Sequence, residues 1–349
     1  MGRPVRELRE KRRCRTIRGR RLFKTKKKTV KPLISHEMKS IQILSAIFAA
    51  MISPAVTGCS NGDSMVNDEP SDPDTFVSQN DETSTDPSDD GFTGAGSTDG
   101  MNIIFEDDFV NSTGIPDPDK WVLCEKASST WARYLSGSYD QAYTQDGSLF
   151  LIGEEENGEY LTGGIETRGK FEFEHGRVEC RARFVKMPMG GHTGIWMMPA
   201  PPAEKWPKSG EIDIMEHLNK EDVIYETVHS WYADDMGHKE DPVAQKTVSV
   251  NKDDWNIYGI EWTADKIVYT VNGEAYLEYP NLGLTGEDGA YQWPFNHPFY
   301  LILSQSLGGE GTWDGPIDDS ELPAVFEIDW VRVLQSPSEE ASVPSIHAD

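Results

Sequence analysis

The sequence has few cysteines and no hydrophobic run long enough for a membrane-spanning helix. Only 4 cysteines occur in 349 residues, and none has the Cys/His spacing that is typical of a zinc site. The apolar stretch at 41–56 is shorter than the about 20 residues that cross a bilayer as a helix. A phosphate-cradling glycine loop, an internal repeat and a sustained 3.6-residue period are also missing. These absences argue against a zinc protein, a membrane-embedded protein and a nucleotide-binding α/β domain.

Basic residues are scarce beyond the first 38 positions. Residues 1–38 contain 15 Lys and Arg but 3 Asp and Glu, a surplus of +12 in a chain whose formal net charge is −26. The residues after Met38 therefore carry −38. Because phosphate binding needs a basic surface, we do not expect nucleic acid as a partner. The acidity fits a secreted, soluble protein that binds a neutral polymer.

The first 59 residues have the features of an over-extended start followed by an export signal. The basic segment 1–37 could instead be a nucleic-acid arm or a localisation signal. Residues 38–59 predict a signal peptide that ends in Val-Thr-Gly-Cys, similar to the bacterial lipobox. Cys59 is then the predicted lipidation site, and an ordinary signal peptide with a chance cysteine is the alternative. We expect an exported protein held by this lipid anchor alone at a bacterial membrane, at the outer membrane or cell surface.

Two further segments have compositions that do not support a packed core. Residues 60–100 are rich in Ser, Asp, Gly, Thr and Pro and contain few large apolar side chains. We predict a disordered acidic tether there, and a disordered tail at 336–349. The folded domain is expected at 101–335.

Residues 101–335 alternate short strand-like runs with turn signals. In 170–184 apolar and polar residues alternate, and Asn272-Gly273 lies between two such runs as a type I′ hairpin signal. The pattern predicts an all-β protein, a sandwich of antiparallel sheets. Cys124 and Cys180 could form one disulfide in an exported protein or remain two buried thiols.

Three carboxylates lie close together in the segment WPKSGEIDIMEHLN, residues 206–219. On a helix Glu211, Asp213 and Glu216 would not share a face, and on a regular strand Glu216 would point away from the other two. One extra residue in the strand, a β-bulge at Ile214-Met215, would bring all three to the same side. The Cα atoms of Glu211 and Glu216 would then be roughly 13 Å apart. Their carboxyl groups could approach to about 5 Å, which is the spacing of retaining rather than inverting glycosidases.

The segment WPKSGEIDIMEH closely resembles the signature of glycoside hydrolase family 16 in its bulged form, Glu-x-Asp-x-x-Glu, as in laminarinase-like members. The resemblance extends from about Met101 to Leu334 and includes GGIETRGKFEFEHGRVECRARF, IWMMP, WPFNHPFYLILSQSLGG and FEIDWVRV. It implies a β-jelly roll of two antiparallel sheets, concanavalin-like, with a concave open cleft. By position, Glu211 would be the nucleophile, Asp213 its helper and Glu216 the general acid/base.

The resemblance also suggests residues that bind the substrate: Trp206, Trp196, His229 and Gln305. Trp206 would stack on a sugar near the cleavage point. Trp196 could line the cleft or belong to the core, and His229 could face the cleft or be a hydrogen-bonded core histidine. Three other tryptophans, Trp131, Trp231 and Trp293, are expected mainly in the core, although any of them could form a sugar platform.

Many members of the family carry a structural calcium ion away from the catalytic groups. By position, Asp108 and Asp329 would be its ligands, since calcium prefers oxygen. Catalysis itself should need no cofactor.

The resemblance implies a retaining endo-β-glycosidase, a monomer that acts on a polysaccharide, most simply β-1,3-glucan or mixed-linkage β-1,3/1,4-glucan. The chain departs from the laminarinase-like pattern Gly-x-Trp-Pro-Ala-x-Trp, because His192-Thr193-Gly194 replaces Trp-Pro-Ala. This change leaves room for an endo-β-galactosidase-type enzyme acting on galactans or host O-glycans. A non-catalytic surface glycan-binding protein is the competing class, but a binding site does not need the three acids.

The anchor can be tested directly. In the full-length chain, Cys59→Ala should release the protein from the membrane fraction or block its maturation, since the thiol that accepts the lipid is gone. The measurement is fractionation combined with metabolic labelling by a fatty-acid analogue. Equal membrane association of the two proteins would contradict lipidation at Cys59.

Overall fold

The computed structural model of the protein describes residues 98–110 and 114–337. The predicted over-extended start 1–37, the signal peptide 38–59 with Cys59, and almost all of the tether 60–100 and tail 336–349 lie outside the described residues. Within the described ranges, no helix is long and apolar enough to cross a membrane.

One sheet has nine strands and forms the back of the molecule. Its main strand order is β14-β13-β12-β7-β16-β4-β3, with β1 paired to β16 and β5 paired to β4. The strands of this back sheet are β1 (Asn102–Asp107), β3 (Ala142–Gln145), β4 (Ser148–Glu156), β5 (Glu159–Thr162), β7 (Gly176–Lys186), β12 (Asn256–Trp262), β13 (Lys266–Val271), β14 (Glu274–Pro280) and β16 (Ala324–Gln335).

The second sheet has seven strands and carries the candidate site, so we call it the cleft sheet. Its order is β11-β10-β9-β8-β15-β6-β2. The strands are β2 (Val122–Leu123), β6 (Gly164–Glu166), β8 (Gly191–Pro199), β9 (Glu211–Leu218), β10 (Val223–His229), β11 (Gln245–Ser249) and β15 (Phe299–Leu307). Two short helices, α1 (Trp231–Asp234) and α2 (Gly286–Gln292), and a 3-10 turn at Asp319–Glu321 lie between strands.

The alternation along the strands builds the core between the two sheets. In β7, buried Val178, Cys180 and Ala182 alternate with partly exposed Glu179 and Arg181. The inward residues join one large apolar cluster that includes residues of both sheets. Successive strand residues point to opposite faces, so this pattern places an apolar layer on one side of the sheet and charges on the other. The predicted all-β sandwich of two antiparallel sheets is confirmed.

Two local features of the sequence also have the expected structure. Asn272 and Gly273 both have positive φ, 52° and 80°, and join β13 to β14, as the type I′ hairpin signal predicted. Cys124 and Cys180 are buried free thiols. The alternative of a disulfide between them is therefore wrong, because the thiols belong to separate apolar clusters.

Strand β9 contains the predicted bulge. Along β8, Ile195 pairs with Met215 and the next residue, Trp196, pairs with Asp213. Ile214 is thus left without an opposing residue, and the pairing with β10 shifts at the same place. Ile214 and Met215 are both buried in the core. The extra residue shifts the alternation of side chains by one position, so that Glu216 points to the same face of the strand as Asp213.

Glu226 lies on β10 opposite this bulge. The residues on either side of it in β10 pair with residues of β9 that are three positions apart instead of two. Its side chain is fully buried and neither carboxyl oxygen has a hydrogen-bond partner. Burial raises the pKa of Glu226 to about 8, although Lys246 lowers it in part. The folded chain therefore favours the neutral acid at this position.

This burial predicts a pH-dependent stability. Folding raises the pKa of Glu226, so between about pH 4.5 and 8 the folded state holds a proton that the unfolded state has lost. The free energy of unfolding therefore falls as pH rises through this range. Glu226→Met should raise the free energy of unfolding by about 2–4 kcal/mol more at pH 8 than at pH 4.5. Denaturant unfolding at both pH values, with exposed Glu159→Met as the control, measures this difference. A gain that does not change with pH would contradict it.

Candidate active site

A cleft of about 730 Å³ crosses the outer face of the cleft sheet. Glu211, Asp213 and Glu216 from β9 all line it, beside residues of β8, β10 and β15. Gly210 leads into β9 with φ +81°, and a Cβ atom there would lie 2.6 Å from the ring of Phe295. Only glycine fits this entry without strain, so the start of the carboxylate strand is fixed against the core.

Glu211 lies at the first position of β9 and is held by Trp206. The indole Nε1 of Trp206 donates to Glu211 Oε2 at 2.6 Å. Burial raises the pKa of Glu211, whereas the charge of His229 and the hydrogen bond from Trp206 lower it. The net shift of the pKa is upward, but the donor and the nearby histidine reduce it and so support the ionised form that a nucleophile requires.

Asp213 is the most deeply buried of the three acids, at 2% exposure. Burial and the charges of Glu211 and Glu216 raise its pKa well above the usual range. Its hydrogen bond with Glu211 acts in opposite directions on the two pKa values, raising that of Asp213 and lowering that of Glu211. These opposite directions favour a protonated Asp213 that donates a hydrogen bond to ionised Glu211.

His229, at the end of β10, connects this pair to a second acid. Its Nδ1 lies 2.9 Å from Asp234 Oδ2, and its Nε2 lies 3.4 Å from Asp213 Oδ2. Burial lowers the pKa of His229, but Asp234 and Glu211 outweigh it and the net shift is upward. His229 therefore faces the cleft and is also hydrogen-bonded, which combines the two alternatives that the sequence left open.

Glu216 has a separate set of neighbours on the other side of the bulge. His192 Nε2 lies 3.1 Å from Glu216 Oε1, and His192 Nδ1 lies 3.7 Å from Asp314 Oδ2. The two outer acids of the motif are thus surrounded differently: an indole N–H contacts Glu211, and a histidine contacts Glu216. Neither His192 nor Asp314 was among the residues predicted to form the site.

Two exposed tryptophans flank the carboxylates. Trp206 is 48% exposed and packs near His229, at 5.4 Å between rings, while Trp313 is 53% exposed and lies near His192, at 5.7 Å. Both line the cleft. Exposed indoles in a cleft are suited to stacking on sugar rings. Trp206 is placed as predicted, but Trp313 was missed, although a lone Trp with no large hydrophobic neighbours in the sequence GGEGTWDG is a signal of an exposed aromatic residue.

Farther along the cleft, Trp131 and Trp196 meet edge to face at 4.8 Å between ring centres. Trp196 is 6% exposed, lines the cleft and donates from Nε1 to Ser304 Oγ at 3.1 Å. Trp131 packs against the apolar cluster that contains Trp196 and also lines the cleft, so it has the platform position that the sequence left open. Trp293 is in the core as expected, and Trp231 packs beside Tyr291 without lining the cleft.

Gln305 does not line the cleft, which corrects the prediction for this residue. On β15 the cleft is lined by Tyr300, Ile302, Ser304 and Ser306, so Gln305 points to the opposite face. It is fully buried and donates from Nε2 to the carbonyl oxygens of His192 and Ser306. Its role is to hold the backbone beneath the cleft.

The two aspartates named for calcium have other partners. Asp108 accepts from the amide of Val110, and Asp329 forms an ion pair with Arg181. A carboxylate that is paired with a guanidinium is a poor fit to a calcium ligand, so Asp329 does not support the predicted site. Among the described residues, Glu211, Asp213 and His229 form the one group of three side chains with ligand atoms within 4.8 Å of one another.

Comparison with known proteins places the chain among carbohydrate-active enzymes. The family model described as "Glycosyl hydrolases family 16" matches residues 129–332, more than half of the chain. A keratan-sulfate endo-1,4-beta-galactosidase of Sphingobacterium multivorum is 36% identical over 67% of this chain, which spans 55% of that relative's length. A beta-glucanase of Rhodothermus marinus is 33% identical over 67% of this chain and 85% of its own length.

A solved structure gives the same result. It is described by the statement that prominent members of the human gut microbiota express endo-acting O-glycanases to initiate mucin breakdown. It is 35% identical to this chain, with a TM-score of 0.60, over 67% of this chain and 99% of its own. The match in sequence, in fold and in the family model is consistent, and the chain belongs to glycosyl hydrolase family 16, as its sequence predicted.

Proposed function

We propose that the protein is a retaining endo-β-glycosidase that cleaves internal bonds of a β-linked polysaccharide. The observation that carries the proposal is the bulged strand β9, which presents Glu211, Asp213 and Glu216 to one cleft. The competing function, glycan binding without catalysis, would not require three carboxylates in this position. Burying them is costly, and a site for reaction explains that cost better than a site for binding.

The surroundings of each acid fit one role in double displacement. Ionised Glu211 attacks the anomeric carbon and forms a glycosyl-enzyme, while Asp213 donates a hydrogen bond to it and stabilises the ionised state. Trp206 donates to Glu211 Oε2 and helps to orient the carboxylate for attack. Glu216 first protonates the departing glycosidic oxygen, and then takes a proton from the water that releases the sugar.

The length of the cleft supports attack within a chain rather than at its end. Trp206 and Trp313 lie near the carboxylates, and Trp131 with Trp196 extends the lining toward Tyr300 on β15. Several aromatic platforms in one cleft can bind several consecutive sugars. This arrangement favours an endo-acting enzyme with a polymer as its substrate.

Two substrate classes have support. A β-1,3-glucan or a mixed-linkage glucan is favoured by the similarity to a beta-glucanase. A galactose-containing glycan, of the keratan or mucin type, is favoured by the similarity to a keratan-sulfate endo-1,4-beta-galactosidase. His192 also supports the second class, because it lines the cleft at the position where the laminarinase-like pattern has Trp.

We also propose export and lipid anchoring at Cys59, on the sequence 38–59 alone. The enzyme would then meet its polymer outside the cytoplasm, and the segment 60–100 would connect the anchor to the catalytic domain. The monomeric state and the calcium ion remain predictions.

The nucleophile is tested by Glu211→Gln. The change is nearly isosteric and removes the attacking oxygen's charge, so kcat should fall at least about a thousandfold while the unfolding temperature changes little. Added azide should restore turnover in Glu211→Ala by attacking the sugar from the vacated side. The control is Glu159→Gln on β5, an exposed glutamate away from the cleft. Near-normal activity of Glu211→Gln would contradict the assignment.

The substrate is identified by digesting laminarin, lichenan, agarose, keratan and mucin glycans with the wild-type protein and sizing the products. Early release of intermediate-length products from any of them supports endo-cleavage. Activity on keratan or mucin glycans alone would favour the second substrate class, and activity on laminarin or lichenan the first. Binding to a polymer without new reducing ends would support the non-catalytic alternative.

A further inference from the structure

We propose that His192 and Asp314 are positioning residues for the general acid, and that they determine which oxygen of Glu216 carries the catalytic proton. The inference depends on the proposed function, in which Glu216 is the acid/base. It concerns two residues outside the Glu-x-Asp-x-x-Glu motif. Neither is assigned by the family resemblance, and both lie on other elements than β9.

The geometry forms a chain of three side chains across the edge of the cleft. His192, on β8, lies 3.1 Å from Glu216 Oε1 through Nε2 and 3.7 Å from Asp314 Oδ2 through Nδ1. The side chains are 17%, 16% and 7% exposed for His192, Glu216 and Asp314. Water therefore competes weakly for these contacts, and the histidine is held between two acids on separate elements.

The backbone of His192 is held as firmly as its ring. Gln305 donates from Nε2 to the His192 carbonyl oxygen at 3.2 Å, and the strand pair β8–β15 places His192 opposite Ser306. The ring of Trp313 closes the exposed side. A residue fixed through backbone, ring face and both ring nitrogens can hold a neighbour within the narrow limits that catalysis requires.

The protonation state of His192 determines which side chain donates in its contact with Glu216. Burial lowers the pKa of His192, but Asp314 and Glu216 outweigh burial and raise it to about 9. This direction favours the imidazolium, in which both ring nitrogens carry protons and can only donate. Oε1 of Glu216 must then accept from His192. The proton of the neutral acid is left on Oε2, the oxygen free to face the glycosidic bond.

The charges around His192 are consistent with this role. Glu216 faces it from β9 and Asp314 faces it from the loop after β15, whereas His217 points to the other face of β9, where its ring stacks on Phe184. Burial lowers the pKa of His217 to about 4, so that residue is neutral at working pH. Asp314 balances the positive charge of His192.

The His192–Asp314 pair gives the histidine at position 192 a role that the tryptophan of the laminarinase-like pattern could not have. A tryptophan there, as in the laminarinase-like pattern, would offer an aromatic face and a single N–H group. A histidine paired with Asp314 supplies a charged donor directly beside Glu216. If His192 acts through proton donation by Glu216, the rate of cleavage of bonds with poor leaving groups should depend on His192. The rate for good leaving groups should not.

The test compares substrates that differ in their need for an acid. His192→Phe keeps the ring and removes both N–H donors. Its kcat/KM should fall about 10- to 100-fold on the polysaccharide that the wild type cleaves. It should fall less than about threefold on the matching 2,4-dinitrophenyl β-disaccharide, laminaribiose or GlcNAc-β-1,3-galactose, whose leaving group needs no proton.

Two further variants separate positioning from a structural role. His192→Gln, which retains one N–H donor, should recover part of the polysaccharide activity, and Asp314→Asn should show the same substrate dependence more weakly. His297→Phe, a half-buried histidine stacked on Phe299 outside the cleft, is the matched control and should match the wild type on both substrates.

The outcomes are distinct. A large loss on the polysaccharide with little loss on the dinitrophenyl substrate supports the inference. Equal losses on both substrates, or no loss on either, overturn it. If the wild type cleaves neither substrate, the proposed function fails instead, because the comparison has no active reference.

Discussion

The single extra residue in β9 is the constraint on which the site depends. A strand alternates its side chains strictly, and without the bulge Glu216 would point into the apolar core. With Ile214 and Met215 both directed inward, the strand contributes two adjacent side chains to the core and three carboxylates to the cleft. The hydrophobic effect thereby holds the catalytic strand in register, since any slip would exchange apolar and acidic faces.

Three acids so close together would repel one another unless their surroundings differed. Trp206 and His229 lower the pKa of Glu211 against its burial, whereas burial and the charges of Glu211 and Glu216 raise the pKa of Asp213 and favour its protonated form. Glu216 is instead paired with His192. The different neighbours give three similar side chains three different protonation tasks, which is the general way in which one site combines a nucleophile with an acid.

Much of this could be predicted from the sequence, because it depends on local periodicity. The strands, the hairpin at Asn272-Gly273 and the bulge all follow from alternation and turn chemistry. The error at Gln305 is also local: Ser304 and Ser306 face the cleft, and the alternation of β15 then directs Gln305 inward. Once one of these three residues is assigned to a face of the sheet, the alternation assigns the other two.

What the sequence could not predict depends on contacts between distant segments. Trp131 reaches the cleft beside Ser306, to which its carbonyl is hydrogen-bonded across 175 positions of sequence. Asp314 meets His192 only because the loop after β15 folds over β8. For the same reason the sequence could not decide between a disulfide and two free thiols at Cys124 and Cys180, because spacing does not reveal which cluster a buried thiol joins.

Double displacement through Glu211 is best tested by the stereochemistry of the product. Proton NMR recorded in the first minutes of digestion of the best oligosaccharide substrate shows which anomer the enzyme releases, before mutarotation mixes the two forms. We expect the β-anomer, because two inversions retain the configuration of the β-linkage. Initial release of the α-anomer would contradict it.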